Sequence, residues 1–176
     1  MDTKKDKKET KSANPHDVFA KEMLSYKQNA VTFFGGILPE HLKANLRLRT
    51  VKLDTTSYTD EKLDQYFSDV VYNCTYRSGR GRAKLALLFE HKSFVPNFPH
   101  SQILRYILGI WDHHTKQKKP RPVVLPILFY HGRRKKVKQR PLASYLLGDT
   151  ERYKRFIPGF EYVLVNLREY PDELII

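Results

Sequence analysis

The sequence predicts a mixed α/β domain with helices packed on a central sheet, and three observations predict it. First, "LALLF" at Leu85–Phe89 and "PVVLPILFY" ending at Tyr130 are apolar runs of the length of strands buried on both faces. Second, "PHSQILRYILGIWDHHTKQK", beginning at Pro99, places Ile103, Tyr106, Ile107, Ile110 and Trp111 at helical spacing, with proline near its start. Third, the elements come in the order helix, strand, hairpin, helix, strand, strand, which builds a sheet with helices on it rather than a bundle or a sandwich of sheets.

Each element follows from its residues. "MDTKKDKKETKSAN" is polar, lysine-rich and without period, so residues 1–14 are expected to be a disordered basic arm and 15–176 the folded domain. From Asp17 to Phe34 the apolar positions Val18, Phe19, Leu24, Ala30, Val31 and Phe34 fit an amphipathic helix or helix pair, which "GGILPE" is expected to stop. "LRLRTVKLD" (Leu46–Asp54) alternates as a half-exposed strand does, and "TDEKLDQYFSD" has the acids of a short capped helix or turn. Two β-rich runs flank "RSGRGR", a hairpin pattern. "FEYVLVNLREY" is the last strand candidate, and the end at "DELII", without a cap or strand stop, is expected to fall inside a longer protein.

The chain has 176 residues, 40% of them hydrophobic, enough for one domain with a real core. No apolar run is long enough to span a bilayer, and the N-terminus lacks the apolar core of a signal peptide. One cysteine, Cys74, excludes an internal disulfide framework and a cysteine-based zinc site. A cytoplasmic protein without membrane association is the plain expectation.

The charge points to a partner. Lys and Arg outnumber Asp and Glu by 32 to 19, a net +13. Between His113 and Gly148 stand Lys116, Lys118, Lys119, Arg121, Arg133, Arg134, Lys135, Lys136, Lys138 and Arg140, and no acid. A polyanion fits such a run, because each neutralised phosphate releases a counterion; a solvated basic face is the bland alternative.

"LALLFEHKSF" then poses the chemical question: a buried strand ends in Glu90, His91 and Lys92. If Gly79-Arg80 forms a two-residue type II′ turn, Asp69 falls directly opposite Glu90, on one face of the hairpin, with Lys92 following on that face. Facing carboxylates repel unless a cation lies between them, and a divalent ion would resolve the conflict. A three-residue loop centred on Arg80 would instead pair Asp69 with His91.

"SDVVY" followed by "LALLFEHKS" resembles the D…ExK core of the PD-(D/E)XK nuclease superfamily. More narrowly, "HDVFAKEMLS", "LPEHL", "KLDTTSYTDEKLDQYFSDVVY", "EHKS", "QILRYILGIWDHH" and "VVLPILFYHG", in order from about Asn14 to the end, resemble the recombination-promoting nuclease (Rpn) family, also called YhgA-like putative transposases. The resemblance implies a PD-(D/E)XK nuclease-like mixed β-sheet with flanking helices. It implies a metal-dependent DNA endonuclease linked to recombination or transposition, with Mg²⁺ as cofactor and Mn²⁺ able to substitute. Asp69 and Glu90 would be the metal carboxylates, the backbone carbonyl of His91 a further ligand and Lys92 the catalytic lysine. Gln102 matches the first position of a Q-x-x-x-Y pattern and joins the catalytic candidates, with Tyr106 and Asp17 as secondary ones. Ser68 stands where the superfamily name has proline. An oxygen-only donor set suits Mg²⁺, which polarises a phosphoryl oxygen and acidifies water. Arg77, Arg80 and Arg82, with Lys116, Lys118, Lys119, Arg133, Arg134, Lys135, Lys136 and Lys138, would hold the DNA backbone. Cutting both strands needs two centres, which a homodimer would supply.

Plainer readings exist for some of these residues. Glu90 and Lys92 also fit a simple surface ion pair. His113-His114 and His131 lack ligand spacing, and a solvated helix end accounts for the pair. Phe33-Phe34 and the stripe Ile103, Ile107, Ile110, Trp111 are simplest as core, and Cys74 as a small buried filler. The rivals for function are a DNA-binding module of the same fold without catalysis and an RNA-directed nucleic-acid-binding protein, for which Tyr72 and Tyr76 are the candidate stacking residues.

Overall fold

A computed structural model of the chain describes residues 22–56, 67–90, 98–130, 138–166 and 169, the side chains of 67–69 and 88–90 excepted. The predicted mixed α/β architecture is present. A helical turn over 22–25 leads into α1 (Lys27–Ile37) and the single-turn α2 (Glu40–Lys43). Then follow β1 (Leu46–Asp54), β2 (Phe67–Tyr76), β3 (Arg82–Glu90), α3 (Pro99–Lys116), β4 (Val123–Tyr130) and β5 (Val163–Asn166). They form one sheet in sequence order, antiparallel from β1 to β3 and parallel from β3 to β5.

Strand alternation sends successive residues to two cores. Val70, Tyr72, Cys74, Leu85, Leu87, Ile127 and Phe129 meet Phe34 and Ile37 of α1 on one face. Val71, Ala86, Val124 and Leu128 meet Ile103, Tyr106, Ile107 and Ile110 of α3 on the other. The stripe predicted for α3 is therefore core, and Trp111 donates its indole N–H to the carbonyl of Pro122 (2.9 Å), tying the helix end to the start of β4. Phe33 stacks on Phe129 at 5.3 Å. Cys74 is fully buried, and burial raises its thiol pKa, as befits a filler. Tyr72 is buried and its hydroxyl donates to the carbonyl of Leu24, so it is no stacking platform.

The first helix stops inside "GGILPE" as expected: α1 runs through Gly35 and Gly36 to Ile37, because Phe34 and Ile37 bury against the sheet and Pro39 sets the end. Two expectations change. The alternation of β1 breaks between Arg47 and Lys52, where Thr50 Oγ1 takes the N–H of Thr75 (3.0 Å) in place of a backbone carbonyl.

The second change is the hairpin register. Asp69 pairs with Leu88, and Glu90 with Phe67, rather than Asp69 with Glu90. The loop is longer than the two-residue turn. Gly79 N–H donates to the Tyr76 carbonyl (3.0 Å) and Tyr76 N–H to the Gly81 carbonyl (3.2 Å). Gly79 (φ 72°) and Gly81 (φ 91°) both take the left-handed region, so both glycines are used, in a bulged loop rather than a type II′ turn. The shift is two residues, so the faces are preserved.

Candidate active site

Because β3, β4 and β5 are parallel, their carboxyl ends lie together at one edge of the sheet. The register places Phe67, Glu90, Tyr130 and Asn166 in one row across four strands: Phe67 pairs with Glu90, Phe89 with Phe129, and Tyr130 with Asn166. Glu90 lies on the α3 side, four residues along from Ala86, and Asp69 lies on the same side, two residues from Val71. Diagonal neighbours of this kind have Cα atoms roughly 7–8 Å apart. Direct opposition is thus replaced by a diagonal pair on one face. Tyr130 and Asn166 are buried, and Asn166 donates from Nδ2 to Glu169 Oε1 at 3.0 Å.

The first turns of α3 belong to this edge, because the helix begins after the end of β3 and its far end returns to the start of β4. Gln102 carries a buried Oε1 with no hydrogen-bond partner among the described residues, an acceptor that can serve a water or a cation. Tyr106, one turn on, is fully buried in the core under α3. Oxygen donors only (two carboxylates and an amide oxygen) fit a hard divalent cation. Asp17, His91, Lys92, His131, Arg133, Arg134, Lys135 and Lys136 lie outside the described residues, as do residues 59–66 of the short helix or turn predicted over 59–69, whose last three residues instead open β2 by pairing with β3.

The basic residues divide. Arg77, Arg80 and Arg82 are exposed at the hairpin, about 26 Å from Glu90 along β3 at the usual strand rise. Lys116, Lys118 and Lys119 are exposed at the same far end, where α3 turns toward β4. Lys138 and Arg140 are exposed in the connection that follows β4. His114 Nδ1 lies 2.9 Å from the Pro120 carbonyl, and its pKa is lowered, first by burial and also by nearby cations including Lys84. His113 Nε2 lies 2.6 Å from Gln117 Nε2. Among the described residues no three His, Cys, Asp or Glu side chains gather as a metal site.

Two features escaped the sequence reading. Beneath the far part of the sheet Lys84 forms an ion pair with Asp54, both nearly buried. Asn73 donates to Asp54 (3.2 Å) and accepts from Lys84 (3.2 Å), and the Thr56 N–H donates to Asp54 (3.1 Å). The second is His100, 1% exposed, its ring enclosed by Phe98, Tyr145, Phe160 and Tyr162 at 5.4–5.9 Å. The polar-apolar alternation of "LRLRTVKLD" hints at Asp54; nothing local marks His100.

The fold is a mixed α/β sheet whose parallel strands β3 to β5 bring polar residues to their carboxyl ends, the place where open α/β sheets in general meet their ligands. Comparison with known proteins narrows the class. The family model described as "Putative transposase, YhgA-like" matches residues 14–176, and the chain belongs to that family. It is 31% identical over 125 residues to recombination-promoting nuclease RpnD of Escherichia coli O157:H7, covering 70% of this chain and 47% of the relative. It is 30% identical over 170 residues to the inactive recombination-promoting nuclease-like protein RpnE of Escherichia coli K12, covering 95% and 55%. To recombination-promoting nuclease RpnA of the same strain it is 31% identical over 122 residues, covering 69% and 41%. The chain thus spans about half the length of these curated relatives. No solved structure matches. Among the described residues no helix is long and apolar enough to cross a membrane.

Proposed function

We propose that this chain is the catalytic domain of a metal-dependent DNA endonuclease of PD-(D/E)XK type, acting in recombination. The observation that carries the reading is the register: Asp69 and Glu90 share one face, one pleat apart, at the carboxyl end of the parallel strands. The names of the relatives, recombination-promoting nucleases, support it. Asp69, Glu90 and the His91 carbonyl would hold Mg²⁺ or Mn²⁺, and Gln102, whose buried Oε1 has no hydrogen-bond partner among the described residues, is a further candidate acceptor. When bound, such an ion would polarise the phosphoryl oxygen and lower the pKa of water. Lys92 orients the attacking water and offsets the negative charge that builds in the transition state. Lys138 and Arg140 hold backbone phosphates on the active side and the hairpin cluster holds them farther off.

Plasmid cleavage at low salt with Mg²⁺, Mn²⁺ or EDTA, for wild type, Glu90→Ala and Lys92→Ala, tests this. Metal-dependent nicking lost in both variants is expected; activity surviving both would move the centre elsewhere. One observation favours a second reading, a binding module without catalysis: RpnE, which matches over 95% of this chain, is named inactive. Binding without cutting in any metal would select it.

A further inference from the structure

A cavity of about 710 Å³ opens beside the first turn of α3, within the range of small-ligand sites. Its walls come from the connection between β4 and β5, and His100, Leu142, Pro158 and Phe160 give it an apolar and aromatic surface. Arg140 and Lys154 also line it, both exposed to solvent, and Glu161 adds one acceptor. His100 is the unusual member. Its ring is clamped by four aromatic neighbours, its pKa is lowered by burial, and its Nδ1 has no hydrogen-bond partner among the described residues. A buried polar atom left unpaired costs stability, and in this position the missing partner can come from a ligand entering the cavity.

The lining specifies that ligand's chemistry. An aromatic and proline surface accepts a flat ring, an imidazole nitrogen accepts or donates at the ring's edge according to its tautomer, a carboxylate accepts there, and two cations donate to a phosphate. These are the parts of one nucleotide. The position fits as well: His100 precedes Gln102 by two residues in the first turn of α3. Stacked duplex hides its bases, so a base can reach such a cavity only when it is turned out of the stack or comes from a single strand.

We propose that this cavity receives one nucleotide of the bound strand, its base against His100 and Phe160 and its phosphate between Arg140 and Lys154. The proposal rests on the nucleic-acid reading above but not on cleavage. It makes the protein selective for DNA with an unpaired or easily unpaired nucleotide within the bound stretch.

Photocrosslinking tests it. Single-stranded and duplex oligonucleotides carrying 5-iodouracil are bound in EDTA, irradiated, and the crosslinked peptides mapped. Crosslinks on the segments holding His100, Tyr145 or Phe160 are expected, with single strands ahead of duplex. Gly159 lines the cavity, and a Cβ there meets nothing within 4 Å and needs no positive φ. Gly159→Trp therefore fills the space without disturbing the fold, which circular dichroism checks, and is expected to cut crosslinking here at least tenfold. Crosslinks confined to other segments, or undiminished in Gly159→Trp, overturn the proposal. So does crosslinking here by free 5-iodo-deoxyuridine monophosphate but by no strand, which would make the cavity a free-nucleotide site. A protein that crosslinks here yet never nicks plasmid keeps the cavity and loses the nuclease reading; one that nicks without crosslinking here does the reverse.

Discussion

Asp69 stands opposite Leu88, which leaves Glu90 one pleat farther along the same face of the sheet. The spacing, roughly 7–8 Å between Cα atoms, relaxes the repulsion that direct opposition would bring and still lets two carboxylates share one ion.

A stability measurement checks that sharing directly. Mg²⁺ at a hundred times its Kd is expected to raise the unfolding free energy by about 2.7 kcal/mol. Asp69→Asn and Glu90→Gln are each expected to erase most of that gain. Urea melts with Mg²⁺ and with EDTA give the difference. An equal gain in a variant and in wild type would remove its residue from the metal set.

The division of the basic residues has a consequence for DNA length. Arg77, Arg80, Arg82, Lys116, Lys118 and Lys119 gather at the end of the domain reached by the 18 residues of α3, about 27 Å from the helix start. Neutralising Arg77, Arg80 and Arg82 is expected to weaken binding to long duplexes and to lower the salt slope by about 0.9 for each phosphate that is no longer neutralised. Duplexes too short to bridge the two ends should bind the variant and wild type alike. Salt titrations with short and long DNA decide; equal losses on both lengths would place the hairpin beside the cut.

The fold was legible because its signals are local: the runs at Leu85–Phe89 and Val123–Tyr130, the stripe of α3, and glycines at the hairpin. The register was not. It depends on how Gly79 and Gly81 share the turn, and two residues of slip leave every side chain on its predicted face. The same-face relation of Asp69 and Glu90 therefore came through while their direct opposition did not. Tyr130 and Asn166 entered the row only when the parallel strands were aligned, and the cavity around His100 joins residues about sixty apart in sequence.

The Lys84–Asp54 pair lies under the sheet, with side chains 5% and 10% exposed. Lys84→Met or Asp54→Leu alone strands a buried charge and is expected to cost about 3–5 kcal/mol. The double change should cost clearly less than the sum, since both charges leave together. Denaturant melts of the four proteins give the coupling; additive losses would mean that the two side chains act apart.

His100 links the cavity to pH. Burial lowers its pKa below the ordinary 6.5, so the folded protein keeps the ring neutral where the unfolded chain protonates it. The unfolded state then binds the extra proton, and stability falls as pH drops from about 6.5 toward the folded value, with the full contribution present above that window. Its neighbour Tyr162 does not offset this, because burial pushes that hydroxyl up to about 12 and keeps it neutral. His114, also lowered, adds to the same slope. His100→Phe keeps a ring among Phe98, Tyr145, Phe160 and Tyr162 and is expected to flatten part of the acid limb while leaving stability above pH 7 nearly unchanged. Thermal melts from pH 5 to 8 measure it, and an unaltered acid limb in the variant would assign the whole slope to other groups.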